Sequence, residues 1–399
     1  MPQRPLADAL LACLLLLITA PAAGQIPALS EQSDISMVTI LPGDAIHAEF
    51  GHSALRVRDP ALGIDRLYNY GTFDFRDPWF VPKFTYGRLT YFLSVSPSPA
   101  AFRHYRRQER PIIEQHLRLS RAQRDALFRF LEINARPENR SYQYDFLFDN
   151  CSTRVRDALE EALGSDVQFT DAPDPDATFR HLLDPYVADR PALSVGFDLA
   201  LGTPTDRRVS PREAMFLPIP LMHAFDAATI QQDSVRQSLV TRTDTLLWLD
   251  GYDATEQAFP WPRWLGWLLF AGGLGLTAWE LARKQSPSAL FDRLLFGIAG
   301  IAGLLMTFLW FIAEHTVTNQ NWNLLWAWPT HLIPALVLQR MTGARNGRVY
   351  FGAAALVSLI TAIGWALWPQ DFHPAVLPIV LLLALRLGWR AYRSAPANP

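Results

Sequence analysis

Residues 144–154 read YDFLFDNCSTR, a segment in which an aromatic stretch leads into the start of a helix. Asn150 is a favourable N-cap, and the apolar stripe that follows it ends at Gly164, so the pattern predicts a helix beginning at Cys151. A thiol in the first turn of a helix lies near free backbone N–H groups and the positive end of the helix dipole. Both features lower the pKa of a cysteine and offer a site for an oxyanion. Cys151 is therefore a candidate nucleophile.

Apolar alternation upstream of this segment predicts a series of strands. They lie near Ser36–Leu41, Ser53–Arg58, Asp65–Tyr70, Leu89–Val95 and Pro111–Leu119. Ser120 and Gln123 have the spacing of a capping box and predict a helix over Arg121–Asn134. Downstream, residues 171–176 are typical of a loop, residues 173–220 are proline-rich and favour short helices, and residues 241–249 favour a last strand. The pattern predicts an α+β domain.

A thiol nucleophile needs a base, and the candidate is His52 in the segment GHSALRV at residues 51–57. Strand periodicity places Ser53, Leu55 and Val57 on one apolar face and leaves His52 to face a cleft. A third group should fix the imidazole tautomer, and the sequence alone does not choose it. The candidates for orienting the pair or supporting the thiol are Asn69, Tyr70, Asp74, Asn150 and Ser152.

Each residue of this pair also has a structural interpretation. A lone cysteine on an amphipathic helix is often a core residue, and a strand histidine is often held by hydrogen bonds. A metal site would use His47, Glu49 and His52, but five residues along a strand place the two histidines on opposite faces. The sequence therefore favours a cysteine–histidine pair without a metal or another cofactor.

The N-terminus has the pattern of a secretory signal: Arg4, an apolar run over Ala9–Thr19 and small residues up to Gly24. We therefore predict a signal peptide over residues 1–24. Residues 10–13, LLAC, form only a loose lipobox, because the apolar run continues beyond the cysteine. Removal of the signal would leave Cys151 as the one cysteine of the exported chain, which excludes an internal disulfide.

Charge and tryptophan are divided unevenly along the chain. Residues 1–260 carry 26 Lys and Arg against 34 Asp and Glu, whereas residues 261–399 carry 10 against 4. Eleven of the 13 Trp residues lie at or after Trp261, as is typical of membrane interfaces. The 50% hydrophobic content argues against disorder, and the acidic first part has no basic stripe that would favour nucleic-acid binding.

Five apolar stretches after Pro260 have about the ~17–25 residues that a membrane helix needs. They are Pro262–Leu281, Leu290–Ala313, Trp322–Leu338, Tyr350–Trp368 and Pro374–Trp389. Nine Arg and Lys residues flank one side of these stretches, and the loops at 314–322 and 369–373 contain none. The positive-inside rule puts those loops and everything before the first span outside the cytoplasm, and the C-terminus inside. An interfacial segment is the alternative for the last stretch, which two prolines interrupt.

Several segments together resemble a known family. They are FGHSALRV at residues 50–57, YNYGTFDF at 68–75, and PENRSY at 137–142 leading into YDFLFDNCSTR. These segments resemble the periplasmic domain of the Lnb-type lipoprotein N-acyltransferases and, more distantly, the permuted papain-like group that includes lecithin-retinol acyltransferase. EHT at 314–316 and NWNLLW at 321–326 resemble the membrane part of the Lnb family. The resemblance implies a permuted papain-like cysteine-transferase domain over residues 25–260, followed by an all-α transmembrane domain of five helices over residues 261–399.

The resemblance also implies an acyltransferase of the bacterial inner membrane with its catalytic domain in the periplasm. Cys151 would take an acyl chain from a membrane phospholipid as a thioester, and His52 would serve as acid and base. The α-amino group of the diacylglyceryl-cysteine of a lipoprotein would then accept the chain in a ping-pong reaction. The motif does not single out the third catalytic residue.

Two further segments contain candidates for substrate binding. Residues 80–91 mix aromatic and basic side chains, so Lys83 and Arg88 are candidates for lipid contact, although such a mix is also typical of a strand with one buried face. The loop at 314–323 is predicted on the same side as Cys151. Its candidates for the lipid or amine site are His315, Asn321 and Asn323, and the alternative is hydrogen bonding within a short loop.

Two other functions remain open at this point. A membrane-tethered cysteine peptidase or cell-wall amidase would use the same pair, because papain-like sites attack amides as well as esters. A non-catalytic lipid-binding module would need Cys151 only for structure, and it predicts that Cys151→Ser leaves function intact. The five apolar stretches favour substrates that are held in a bilayer.

Overall fold

An antiparallel sheet forms the centre of the N-terminal part of the chain. The computed structural model describes residues 26–394 except 75, 171–175, 234 and 253–256. Within them lie ten strands: β1 (Asp34–Ile40), β2 (His52–Asp59), β3 (Ile64–Thr72), β4 (Thr90–Pro97), β5 (Ile112–Leu117), β6 (Ser141–Gln143), β7 (Val167–Gln168), β8 (Thr229–Gln232), β9 (Val235–Ser238) and β10 (Val240–Leu247). Seven form one sheet in the order β10-β5-β1-β2-β3-β4-β6, and β7, β8 and β9 form a second.

The strands that apolar alternation predicted are confirmed, each within two residues at either end. All strand pairs of the larger sheet are antiparallel, and β1 pairs with β2 so that Ile40 lies opposite His52. Residues 1–24, the predicted signal peptide, lie outside the described residues, as does all but the last residue of the predicted loop at 171–176.

Eight helices of the N-terminal part lie among the described residues. They are α1 (Phe80–Tyr86), α2 (Ser98–Arg107), α3 (Arg121–Asn134), α4 (Cys151–Leu163), α5 (Phe179–Leu183), α6 (Pro191–Ala200), α7 (Pro211–Ala214) and α8 (Pro218–Ala227). The predicted bounds of α3 and α4 are confirmed, and the capping box of Ser120 and Gln123 forms as expected. The interpretation of residues 80–86 as part of a strand is wrong. They form a helix with no buried residue, which ends at Gly87 where φ is +88°.

Helices cover both faces of the larger sheet. On one face, Leu55 and Val57 of β2 pack in a buried cluster with Val155 and Leu159 of α4. Each is fully buried, and burial of one such side chain stabilises a fold by about 1.5–3 kcal/mol. On the other face, a smaller cluster includes Ala54 of β2 and packs against α2. The start of β2 and the start of α4 therefore lie close together, held by the same core.

The C-terminal part is helical. It contains α9 (Trp261–Ala282), α10 (Ala289–Phe311), α11 (Leu332–Met341), α12 (Arg345–Ile363) and α13 (Leu377–Arg393). Three of these helices, α9, α10 and α12, are long and apolar enough to cross a membrane, judged by length and composition. The predicted α+β class, with a sheet domain before a helical domain, is confirmed.

The prediction of a continuous helix over Trp322–Leu338 is wrong. This stretch begins with 3-10 turns at Trp322–Leu325 and Pro329–His331, and α11 has 10 residues. Pro329 has no N–H group to donate, so a helix cannot continue through it from the preceding turn. The last apolar stretch is a helix of 17 residues with Pro378 in its first turn, where proline is tolerated.

Two arginines that the orientation argument counted as flanking charges are buried. Arg386 lies 2.8 Å from Glu280 and 2.7 Å from Asp292, and Arg390 lies 2.5 Å from Asp292. All four side chains are at most 4% exposed. They form a cluster, here called the membrane-domain ion cluster, that joins the end of α9, the start of α10 and the end of α13.

Candidate active site

Cys151 is the first residue of α4, and the structure shows why the helix begins there. The side chain of Asn150 accepts hydrogen bonds from the backbone N–H groups of Ser152 at 2.8 Å and Thr153 at 3.1 Å. The hydroxyl of Thr153 in turn accepts from the backbone N–H of Asn150 at 2.8 Å. Asn150 therefore supports the thiol through the helix cap, and its own amide also donates to the backbone of the neighbouring segments.

The opposite wall of the thiol site is the end of β3. Gly71 lies so close to the thiol that a Cβ placed on it would be 3.3 Å from the Cβ of Cys151. Its φ of +82° is a conformation that favours glycine. A side chain at this position would therefore strain the strand and crowd the nucleophile.

The thiol pKa differs from the expectation for a helix start. Backbone N–H groups of Ser53, Ser152 and Cys151 itself do lower the thiol pKa, as the sequence predicted. Burial raises the pKa by more, because a thiolate loses most of its hydration there, and the net shift is upward. The expectation of a depressed pKa is therefore wrong for the resting protein. The same N–H groups remain donors for negative charge that appears during a reaction.

His52 is the first residue of β2, and its imidazole contacts Asn69 of β3. His52 Nε2 lies 3.4 Å from the side-chain oxygen of Asn69, whose amide donates to the backbone oxygen of Leu67 at 3.3 Å. Burial, followed by the nearby charge of Arg110, lowers the pKa of His52 to about 4, against the smaller opposing effect of Asn69. The imidazole is therefore neutral at pH 7 and able to accept a proton.

Only one of the three orienting candidates on and after β3 contacts the imidazole among the described hydrogen bonds. Asn69 makes that contact. Tyr70 instead packs in the core on the α4 face, with its ring 6.4 Å from that of Tyr142. Asp74 forms an exposed ion pair with Arg76 at 2.8 Å, which is the main reason its pKa falls to about 2.

Ser152 lies beneath the thiol. Its side chain is fully buried, and its hydroxyl oxygen is 3.2 Å from that of Ser53, the residue after His52. The Cys151 sulfur is 4.0 Å from the hydroxyl oxygen of Ser152. Ser53 therefore connects the two elements that carry the pair: its hydroxyl contacts α4 and its backbone N–H lowers the pKa of the thiol.

Several residues around the pair were missed by the sequence interpretation. Arg110 is 4% exposed, and its charge lowers the pKa of His52. The ring of Tyr105, on α2, lies 6.4 Å from the His52 ring. Burial raises the pKa of Tyr105 to about 12, against the opposing charge of Arg110 and with a further contribution of Cys151. The ring centres of Tyr91 and Tyr144 lie 4.3 Å apart with the rings tilted by 35°, and the pKa of each is also raised by burial and by Cys151. Tyr144 and Tyr91 lie in segments that the sequence marked for other reasons, whereas no local motif marks Tyr105 and Arg110, which reach the pair only through the fold.

The substrate-binding candidates have partners other than the pair. Lys83 contacts Asp77 at 2.7 Å, and Arg88 contacts Glu314 at 2.6 Å. His315 Nε2 lies 2.7 Å from the backbone oxygen of Phe84. Asn321 and Asn323 are buried: the first donates to the Leu199 oxygen at 2.7 Å, and the second accepts from the indole of Trp326 at 3.0 Å. Among the described hydrogen bonds, none of the five contacts His52 or Cys151.

These contacts show that the loop at 314–323 joins the two domains. The hydroxyl of Thr316 donates to Asp145 at 2.8 Å. Asp145 also accepts hydrogen bonds from the backbone N–H groups of Leu147 and Phe148. These residues belong to the segment that directly precedes Cys151. Glu314 N–H donates to the oxygen of Tyr86 at 2.7 Å. The segment that leads into Cys151 is therefore attached directly to the helical domain.

The metal alternative has no supporting geometry. Glu49 lies 2.8 Å from a guanidinium nitrogen of Arg190, so a cation already faces its carboxylate. Within residues 26–394, apart from the gaps named above, no three His, Cys, Asp or Glu side chains lie close enough together to hold a metal ion.

Comparison with protein families matches both parts of the chain. Residues 28–185 match the Lnb N-terminal periplasmic domain, and residues 254–395 match the Lnb transmembrane domain. Comparison with curated proteins and with solved structures gives no match. The two matches follow the order of the sheet domain and the helical domain and together cover most of the chain. The chain belongs to the Lnb family, and with a periplasmic domain before a transmembrane domain it is a membrane protein of lipoprotein processing.

Proposed function

We propose that this protein is a lipoprotein N-acyltransferase, and that it moves a fatty acyl chain from a membrane phospholipid to the α-amino group of the diacylglyceryl-cysteine of lipoproteins. The observation that carries the proposal is the site itself. The thiol of Cys151, at the start of α4, faces three backbone N–H donors. His52, the first residue of β2, has a neutral imidazole that contacts Asn69. This arrangement supplies a nucleophile, a base and donors for an oxyanion.

The first half-reaction forms a thioester. His52 takes the proton of the Cys151 thiol as the sulfur attacks the ester carbonyl carbon, so that a C–S bond forms and the carbonyl oxygen becomes an oxyanion. The N–H groups around the sulfur favour the thiolate and the negative charge that follows it. When the ester C–O bond breaks, the imidazolium gives its proton to the leaving oxygen, and the products are a lysophospholipid and S-acyl Cys151.

The second half-reaction forms the amide. The neutral α-amino group attacks the thioester carbonyl, and His52 takes one of its protons. The C–S bond then breaks, the imidazolium returns a proton to the sulfur, and an N-acylated lipoprotein leaves. Because the acyl chain stays on Cys151 as a thioester after the lysophospholipid leaves and before the amine reacts, the reaction is ping-pong.

The attachment of the site to the helical domain supports substrates that lie in a membrane. Thr316, in a loop between helices, donates to the segment that leads into Cys151. The helix α1 next to this loop exposes Val81 by 69% and Phe84 by 49%, and Trp79 before it by 65%. Exposed apolar side chains beside a transmembrane domain are suited to contact with lipid. We place the catalytic domain, over 25–260, and the loop at 314–323 on the periplasmic side of the inner membrane, and the C-terminus of a multi-pass domain over 261–399 in the cytoplasm.

The test is intact-protein mass spectrometry of the purified full chain after incubation with phospholipid and no amine. We expect wild type to gain the mass of one acyl chain, released by neutral hydroxylamine, and Cys151→Ala to gain none. A diacylglyceryl-cysteine peptide added next should remove the adduct and become N-acylated. Hydrolysis of cell-wall peptides without acylation would favour the amidase alternative, and full function of Cys151→Ser would favour a non-catalytic module.

A further inference from the structure

A buried arginine without a carboxylate partner lies beside the catalytic pair. Arg110 is 4% exposed, and no carboxylate of the described residues lies within 4 Å of its guanidinium. Its Nε donates to the backbone oxygen of Leu41 at 2.9 Å, while one terminal nitrogen is buried with no hydrogen-bond partner. Burial of an unpaired charge destabilises a fold, so a guanidinium in this state is poised for an anion that the resting protein lacks.

The surroundings hold this side chain in one place. The methylene groups of Arg110 pass over Gly43, where an added Cβ would come within 2.7 Å of them. Its guanidinium lies 5.5 Å from the ring centre of Tyr105, and the same ring lies 6.4 Å from that of His52. Tyr105 therefore has the imidazole and the guanidinium as neighbours. The charge of Arg110 acts on His52 and also interacts with Cys151. The backbone donors that lower the pKa of the thiol belong to Ser53, Ser152 and Cys151.

This position selects the part of a substrate that the arginine would contact. The charge that develops at the carbonyl oxygen is already served by N–H groups near the sulfur. The leaving oxygen of the ester must lie next to His52, which protonates it, so the alcohol portion of the substrate extends to that side. In a glycerophospholipid the alcohol portion carries a phosphate close to the ester, and arginine is well suited to bind a phosphate through two parallel hydrogen bonds.

We propose that Arg110 binds the phosphate of the glycerophospholipid that donates the acyl chain. This inference rests on the proposed function and deepens it, because it names the chemical feature that selects the donor. Arg110 thereby distinguishes a phospholipid from a neutral diacylglycerol that carries the same acyl chains. The lowered pKa of His52 fits the same picture, since the charge of Arg110 contributes to that shift after burial.

The experiment compares two donors with identical acyl chains in the same detergent, phosphatidylglycerol and diacylglycerol. The rate of S-acylation of Cys151 is followed by intact mass in wild type, Arg110→Met, Arg110→Lys and the control Arg107→Met, an exposed arginine at the end of α2. We expect Arg110→Met to lose at least about tenfold with phosphatidylglycerol, as for a lost charge-assisted hydrogen bond, and nothing with diacylglycerol. Arg110→Lys should recover part of the loss, and Arg107→Met should match wild type.

The donor without phosphate also reports folding and the chemistry. An equal loss on both donors would overturn the proposal and place Arg110 at the thiolate or the imidazole. No loss on either donor would overturn it as well. Failure of wild type to form any thioester would instead contradict the proposed function.

A second arm separates a lipid headgroup from a simple anion. Glycerol 3-phosphate should slow acylation of wild type by phosphatidylglycerol more than inorganic phosphate does, and neither should affect Arg110→Met. Equal inhibition by the two would indicate a general anion site and contradict headgroup recognition.

Discussion

Arginines are buried in several parts of the molecule, and two of these sites differ in the partners of the guanidinium. In the membrane-domain ion cluster, Arg386 and Arg390 face Glu280 and Asp292, so two positive and two negative groups balance. Beside the catalytic pair, Arg110 has a backbone oxygen and an aromatic ring as neighbours and no carboxylate among the described residues. The charges of the membrane-domain ion cluster compensate one another, and the cluster joins three helices. The charge of Arg110 lacks such compensation, and we expect a bound anion to supply it.

The same contrast applies to the groups around each cluster. The indole of Trp389 donates to Glu280 at 2.8 Å and the hydroxyl of Thr277 accepts from Arg386 at 2.7 Å, so the remaining hydrogen-bonding capacity of the ion cluster is used. At the catalytic pair, the thiol, the imidazole and the guanidinium all retain capacity for a ligand. Substitutions at the pair should therefore lower the reaction rate, whereas substitutions in the membrane-domain ion cluster should lower the stability of the protein.

The largest expected effect is that of His52→Ala on the chemistry. Both proposed half-reactions need a proton to move through this imidazole, and general acid–base catalysis contributes about 10²–10⁴-fold. We expect the rate of S-acylation from phospholipid to fall by that factor while the melting temperature stays near that of wild type. The measurement is intact mass against time at pH 7, with circular dichroism melts in parallel. Acylation at the wild-type rate would show that another group serves as the base.

Removal of one cation from the ion cluster should have an effect of similar size, but on stability. Arg386→Met leaves Glu280 and Asp292 with too little compensating charge, and breaking a buried pair costs about 3–5 kcal/mol. We expect a large drop in the thermal stability of the detergent-solubilised protein, measured by the loss of monomer on size exclusion after heating. The matched control is Arg345→Met, an exposed arginine at the start of α12. Equal stability of the two variants would mean that the cluster does not hold the helices together.

How far the sequence predicts each region follows from the range of the interactions. The start of α4 was predictable because a helix cap is local: Asn150, Cys151 and Thr153 are consecutive or nearly so. The strand of His52 was predictable from alternation for the same reason. The choice among Asn69, Tyr70 and Asp74 was not, because it depends on which face of β3 meets the imidazole and on a register shift between Asn69 and Thr72.

The surroundings of the two sets of arginines could not be predicted from the sequence, because they depend on residues that are distant along the chain. Arg110 belongs to no motif and reaches the pair only because β5 pairs with β1, next to β2. Arg386 looked like a flanking charge because its partners, Glu280 and Asp292, lie about a hundred residues earlier. Burial also reversed the expected shift of the thiol pKa. Local pattern predicts the donors around a sulfur but not the loss of its hydration.

Asn69 offers a moderate test of the pair. Its contact with His52 is long, at 3.4 Å, and a neutral hydrogen bond contributes about 0.5–1.5 kcal/mol. We therefore expect Asn69→Ala to slow S-acylation by only about two- to tenfold. Asn69→Asp should raise the pKa of His52, because a carboxylate favours the imidazolium. The readout is the pH–rate profile, whose acidic limb should move upward in Asn69→Asp; an unmoved limb would show that Asn69 does not face the imidazole during catalysis.

The pH dependence of wild type separates the two proposed catalytic groups. Since the pKa of His52 is lowered to about 4, S-acylation should stay level as the pH falls from about 7 to about 5 and decline only near 4. Alkylation by iodoacetamide needs the thiolate, and the raised thiol pKa predicts a rate at pH 7 below that of a free cysteine that rises with pH. Fast alkylation at pH 7 would indicate a thiolate–imidazolium pair in the resting protein.

The same histidine determines the direction in which folding stability changes with pH. An unfolded histidine has a pKa of ~6.5, so the unfolded chain binds a proton below that pH while folded His52 does not. Its contribution to stability is therefore fully present above about pH 6.5 and is lost as the pH falls towards about 4. Under the same conditions His52→Ala should lose less stability than wild type.

The smallest expected effect is at Arg88, which is the exposed counterpart of the two buried sets. It pairs with Glu314 across the joint between the domains, but the two side chains are 63% and 47% exposed, and solvent screens such a pair so that it contributes little to stability. Arg88→Gln and Glu314→Gln should each leave the melting temperature near that of wild type. The acylation rate should stay within about twofold of wild type, on anionic and zwitterionic phospholipid alike. Because Arg88 already has a carboxylate and water around it, a lipid phosphate gains little by replacing them. A selective loss on anionic lipid in Arg88→Gln, absent in Glu314→Gln, would mean that Arg88 leaves its partner to bind a headgroup. An exposed and paired arginine would then act as the buried and unpaired Arg110 is expected to act, and burial without a partner would no longer distinguish a binding residue from a structural one.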